Sequence, residues 1–180
     1  MTTWICLFRG INVGGKNKLP MRELAAIFEA AGCSDVKTYI QSGNVVFRAS
    51  AAVAGRVPEL VAGGIEQRFG FRVPVVTRTA AEVRAVRDGN PFLSRTADTK
   101  LLHVAFLAQE PDPGRAATLD PKRSPPDELF LRGREVYLYI PNGIARTKLS
   151  NQYLDSRLGT TSTVRNWATV VKLADLAAAA

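Results

Sequence analysis

The sequence predicts an α+β protein made of two tandem ferredoxin-like units, each running strand, helix, strand, strand, helix, strand, with an extra helix at the C-terminus. Three observations lead there. Residues 3–8 and 101–108 are strands that are apolar at almost every position and stand at the head of the two halves. Each is followed by a helical segment and then by two short strands joined by a tight turn. The chain, 180 residues with 46% hydrophobic and 22% charged side chains, has enough apolar material for a buried core. The expected organisation is a first unit over 1–78, a connecting helix and loop over 79–100, and a second unit with the C-terminal helix over 101–180.

In the first strand Trp4, Ile5, Cys6, Leu7 and Phe8 follow one another without polar alternation, so both faces of the sheet should be covered. Pro20 suits the first turn of a helix, where a backbone N–H would lack an acceptor anyway. Leu24, Ile27, Phe28 and Ala31 then recur at i, i+3, i+4 and i+7, a single buried stripe ended by Gly32. Strands at 36–40 and 45–48 flank Gln41-Ser42-Gly43-Asn44, whose Gly and Asn accept positive φ. One helix over 53–69, a strand over 71–77 and a helix over 79–88 follow, and Asn90-Pro91 breaks the chain between the halves.

The second half is expected to place strands at 101–108, 128–131 and 135–140, a short helix at 113–119 and another helix at 149–157. A short strand at 160–163 and a helix over 164–176 complete it. Five prolines make 109–126 the least regular segment. Since the leading strands are apolar on both faces, the economical arrangement packs the two units into one compact body.

Several function classes are excluded by composition. No run approaches the roughly 18 apolar residues of a membrane span, and the first residues lack the pattern of a signal peptide, so a cytoplasmic protein without membrane partners is expected. The two cysteines, Cys6 and Cys33, show no metal-ligand spacing, and neither a metal nor a cofactor is expected. The formal charge of +8 favours an anionic partner. The basic residues are dispersed, leaning toward the first hundred positions, without the dense clusters of a nucleic-acid-binding arm. His103, the only histidine, lies among apolar neighbours and reads as a buried histidine satisfied by hydrogen bonds. No nucleophile and base pair is visible, so the sequence speaks against an enzyme more than for one.

Three polar segments stand out at the ends of these elements. The first, Arg9-Gly10-Ile11-Asn12-Val13-Gly14-Gly15-Lys16, is a glycine-bearing loop between strand and helix, able to aim backbone N–H groups at an anion. It lacks the spacing of a dinucleotide fingerprint or a phosphate-binding Walker loop. The second is the Gln41-Ser42-Gly43-Asn44 turn, whose amides carry both donors and acceptors. The third is Thr160-Thr161-Ser162-Thr163-Val164-Arg165-Asn166-Trp167, where Thr163 is placed to cap the last helix and Arg165 and Asn166 lie in its first turn. Each also has a plain structural reading, as a turn or cap that satisfies itself.

These segments together resemble the signature segments of the bacterial family DUF1697, a domain of unknown function. The resemblance covers essentially the whole chain, including Asn90-Pro91-Phe92 and Pro141-Asn142-Gly143-Ile144, with Thr147 where Ser is more often expected. It implies tandem ferredoxin-like units and brings no substrate, cofactor or catalytic residue with it. The functional expectation is therefore a small anionic ligand, phosphorylated compounds included, held between the two units. The candidate residues are Arg9, Asn12, Gly14, Gly15, Lys16, Gln41, Ser42, Asn44, Thr163, Arg165 and Asn166. The alternative is nucleic acid bound through dispersed basic residues. It is disfavoured because the strand holding Val45, Val46 and Phe47 lacks the paired aromatics of an RNA-recognition sheet.

Overall fold

The computed structural model describes residues 1–180 and contains two four-stranded antiparallel sheets and seven α-helices. The chain divides into a unit of Met1–Ala85 with Lys172–Ala180, and a unit of Val86–Val171. No helix is long and apolar enough to cross a membrane.

The first unit holds β1 (Thr2–Phe8), α1 (Met21–Ala30), β2 (Ser34–Tyr39), β3 (Asn44–Ala49), α2 (Ala51–Ala54), α3 (Val57–Phe69), β4 (Val75–Thr79) and most of α4 (Ala80–Asp88). Its sheet order is β2-β3-β1-β4. The β1 strand is central because nothing along it interrupts the apolar run. Cys6 and Phe8 pack with Val45 and Phe47 against Leu24, Ile27 and Phe28 of α1 and Val61 and Ile65 of α3. Phe28 meets Phe8 edge-on at 6.1 Å and Phe47 at 5.1 Å, favourable geometries for aromatic quadrupoles. On the opposite face Ile5, Leu7 and Val46 are also fully buried, as an unalternating strand requires.

Two elements of this unit differ from expectation. The helix expected over 53–69 is two helices, because Pro58 has no N–H to donate and fits only a first turn; α3 therefore starts afresh at Val57. The Ser50 hydroxyl caps α2 by accepting from the Val53 N–H. The strand expected over 71–77 lies instead at Val75–Thr79, where it pairs with β1 from Phe8↔Val75 to Trp4↔Thr79. A capping box closes it: the Thr79 N–H donates to Glu82 Oε2 at 2.7 Å, and the Glu82 N–H donates to Thr79 Oγ1 at 3.1 Å, starting α4.

The second unit holds a 3-10 turn (Thr99–Leu101), β5 (Leu102–Leu107), α5 (Pro113–Ala116), β6 (Glu128–Arg132), β7 (Glu135–Tyr139), α6 (Asn151–Leu158), β8 (Ser162–Asn166) and the first turn of α7 (Trp167–Ala178). The sheet order, β6-β7-β5-β8, repeats that of the first unit. Ala105, Leu107, Val136 and Leu138 face Leu149, Tyr153, Leu154 and Leu158. Two arginines show how far the repetition goes. Arg78 sits opposite Ile5 and Arg165 opposite Val104; both are buried, and each donates to the carbonyl of the preceding residue, at 2.8 and 2.9 Å.

The last strand is longer than expected, and Thr163 does not cap the final helix. Residues 162–166 stay extended because they pair along β5 from Leu107↔Ser162 to His103↔Asn166. The cap is Asn166, whose Oδ1 accepts the Thr169 N–H at 2.9 Å.

Candidate functional site

The first two sequence motifs come together in the first unit, where they bind each other. The Asn12 amide Nδ2 donates to the Leu19 and Gln41 carbonyls, both at 2.9 Å, and Asn12 Oδ1 accepts the Leu19 N–H at 2.8 Å. That side chain is a clasp fastening the 9–19 loop to the β2–β3 turn. Both of its amide hydrogens are used, which leaves it no donor for a ligand. Asn44 is fully buried, and its Nδ2 donates to the Tyr39 carbonyl and Ser42 Oγ. Gly43 has φ 82°, and a Cβ there would lie 2.6 Å from Ile11 Cδ1 and 2.7 Å from Phe8 Cβ, so the turn seats its backbone directly on the core. Arg9 is half-buried, with its N–H donating to the Pro74 carbonyl at 3.1 Å. Gly14 and Gly15 adopt positive φ with open space around them, and Lys16, Gln41 and Ser42 are exposed.

The third motif belongs to the second unit and splits across its sheet. Successive residues of a strand point to opposite faces, so Thr163 and Arg165 share one side of β8 and Val164 and Asn166 the other. The Arg165 guanidinium donates from Nη1 to Thr163 Oγ1 at 2.8 Å and to the Val164 carbonyl at 2.9 Å. Thr163 and Arg165 are buried, whereas Asn166 is exposed.

On the Asn166 side of β8 lies a cavity of about 220 Å³, lined by Thr99, Lys100, His103, Asn166, Trp167 and Ala168. Its parts are set by local structure. The register pairs His103 with Asn166 across β5 and β8, which puts their Cβ atoms about 5 Å apart on one face. Asp98 caps the 3-10 turn by accepting the Lys100 N–H at 3.1 Å, fixing Lys100 beside the start of β5. Trp167 and Ala168 open α7, whose first backbone N–H groups have no acceptor within the helix and form its positive end.

His103 departs from expectation. It is buried, at 8% exposure, but it is not satisfied: Nδ1 has no hydrogen-bond partner. Burial pushes its pKa below the ordinary value of 6.5, and the nearby Leu101 carbonyl opposes this in part. At neutral pH the ring is therefore uncharged, offering one N–H and one lone pair. Lys100 is exposed and forms no ion pair, so its ammonium is the full positive charge at this cavity. A cation, a helix N-terminus, an amide and an unsatisfied imidazole around one small concavity suit an oxyanion.

Sequence reasoning found Asn166 and missed Lys100 and His103. A polar residue at the helix-facing position of an otherwise apolar strand was the available signal for His103. Lys100 is one of many scattered lysines and arginines, and only the Asp98 cap places it. The aromatic side chains of the second unit give no open stacking sheet: Tyr137 is buried and Tyr139 lies against Phe92 and Arg95. No group of three or more His, Cys, Asp or Glu side chains converges as metal ligands do, and both cysteines are buried and in no disulfide.

A family model described as protein of unknown function (DUF1697) matches residues 1–137. Among solved structures, the chain is similar to a conserved bacterial protein from Streptococcus pneumoniae, at 23% sequence identity and a TM-score of 0.68, over 98% of each chain. That likeness speaks to the fold. No curated protein matches the sequence.

Proposed function

Because this chain belongs to the DUF1697 family of proteins of unknown function, we propose its function from its own residues: it binds a compact oxyanion, a carboxylate or a phosphate, in the cavity of the second unit beside His103. The observation that carries this reading is the unpartnered, buried Nδ1 of His103. A buried polar atom without a partner costs about 1–3 kcal/mol; Trp4 Nε1 and Asn90 Nδ2 share that condition, but His103 also lines a cavity in which a ligand could supply the missing bond. Lys100 and the start of α7 add positive potential at the same place. The strand orders β2-β3-β1-β4 and β6-β7-β5-β8 further support reading each unit as a ferredoxin-like plait, with the cavity at the end of the second.

The polar motifs of the first unit have a different role. Asn12 holds the loop to the turn and Asn44 closes the turn on itself, so Arg9, Gly14, Gly15, Lys16, Gln41 and Ser42 form a stabilised surface rather than a convergent pocket. Thr163 and Arg165 bind one another on the far side of β8 from the cavity.

Calorimetric titration of the full chain with phosphate, sulfate and acetate tests the proposal. One of these should bind with saturation, and Lys100→Met and His103→Phe should each weaken it about tenfold or more, as loss of a charge-assisted or buried hydrogen bond implies. Binding untouched by both substitutions, or no binding at millimolar concentration, would remove the proposal.

A further inference from the structure

A second, chemically different concavity lies on the outer side of α6. It has a volume of about 320 Å³ and is lined by Arg123, Ser150, Gln152, Tyr153, Ser156 and Arg157. Arg123 and Arg157 both lean on the Tyr153 ring, with guanidinium carbons 5.1 and 5.7 Å from its centre. The ring itself is fixed: Tyr153 is 8% exposed, and its hydroxyl accepts the Asp120 N–H at 3.0 Å. A cation held against an aromatic face loses rotational freedom while its N–H edge stays available.

These two arginines share one aromatic ring, and neither is neutralised by a carboxylate. Elsewhere Arg48 pairs with Asp35, Arg68 with Glu23, Arg72 with Glu59 and Glu66, Arg87 with Asp88, and Arg95 with Glu128. Neither Arg123 nor Arg157 has an acidic partner within ion-pair distance, although the chain carries 16 acidic side chains. Favourable placement near the C-terminal end of a helix accounts for Arg157 in the last turn of α6. It does not account for Arg123, which comes from the loop between α5 and β6 and converges on the same ring.

We propose that the Arg123–Tyr153–Arg157 concavity is a binding site for a phosphoryl group carrying two negative charges. Two planar guanidiniums can each present paired N–H donors to a tetrahedral oxyanion. The hydroxyls of Ser150 and Ser156 line the same concavity; Ser150 Oγ already accepts the Tyr153 N–H and Ser156 donates to the Tyr153 carbonyl. The site is independent of the His103 cavity. It is open and held by permanent charges, so its affinity should fall with added salt and be nearly flat between pH 7 and 8.

The test is a titration of the full chain with inorganic pyrophosphate at low salt, following the arginine side-chain N–H resonances by NMR. Assignment comes from the spectra of Arg123→Gln and Arg157→Gln. The Arg123 and Arg157 signals should move together and saturate, each single substitution should raise Kd about tenfold or more, and His103→Phe should leave these shifts in place. Three results would overturn the proposal. One is that neither signal moves at millimolar pyrophosphate. Another is that the affinity survives in the Arg123→Gln/Arg157→Gln double variant. The third is that a short single-stranded oligonucleotide moves both signals while pyrophosphate moves neither, which would assign the surface to a nucleic-acid backbone. Surface glutamines in place of arginines keep the fold, and an unchanged far-ultraviolet circular dichroism spectrum checks this.

Discussion

The loop over residues 9–19 and the cavity beside His103 make opposite use of polar side chains. The loop is conspicuous, with three positive-φ glycines and two positive-φ asparagines, yet Asn12 and Asn17 turn inward to donate to carbonyls of their own neighbourhood. The cavity is inconspicuous, made by one histidine in an apolar strand, one lysine and one helix start, yet one of the fold's three unpartnered buried nitrogens lies beside it. Polar groups that complete their own hydrogen bonds build the fold, and those that leave one open are available to a ligand. Position on a loop is a weaker guide than that count.

This contrast can be broken by substitution, and the largest effects belong in the first unit. Gly43→Ala forces a Cβ against Ile11 and Phe8 at a left-handed φ, and should destabilise by about 3 kcal/mol in chemical denaturation. A loss under about 1 kcal/mol would mean that the turn is not seated on the core as described. Asn12→Ala removes three hydrogen bonds and should cost about 2 kcal/mol without altering anion affinity at His103. If Asn12→Ala instead left stability intact and weakened anion binding, the roles of the two regions would be exchanged.

His103→Phe sharpens the comparison from the other side. Replacing an unsatisfied buried ring with an apolar one of similar volume should leave stability unchanged or raise it by about 1 kcal/mol, while anion affinity falls about tenfold or more. The smallest effect is the pH dependence. The folded state holds the His103 pKa below 6.5, so the unfolded chain takes up the proton first as pH falls. The associated stability is complete above 6.5 and is lost as pH drops toward the lowered folded value, at up to about 1.4 kcal/mol per pH unit. Lys100 is the charged side chain that faces the same cavity. Denaturation midpoints at several pH values, in the original chain and in His103→Phe, isolate this component.

Much of the fold was legible because hydrophobic pattern carries it. The unbroken apolar runs of β1 and β5, the Leu24, Ile27 and Phe28 stripe, and the Gly-Asn turn all predicted elements that the structure contains. The misplacements have local causes. Pro58 restarted a helix, and β4 and β8 were set by their pairing with β1 and β5, which no local signal reveals. For the same reason Thr163 read as a cap when Asn166 performs that task. The candidate site was legible only at Asn166, since the lack of a partner at His103 and of a carboxylate at Arg123 and Arg157 are properties of three-dimensional neighbours.

His103 is the only histidine in the chain, so its imidazole can be followed alone. An NMR pH titration of the ¹⁵N-labelled imidazole, with and without the oxyanion that calorimetry selects, reads one residue without ambiguity. The ring should be neutral at pH 7 in the free protein, because burial lowers its pKa, and binding beside Nδ1 should shift the Nδ1 resonance and raise the pKa. An imidazole whose resonances and pKa stay the same while the anion binds would contradict the assignment of the site to His103.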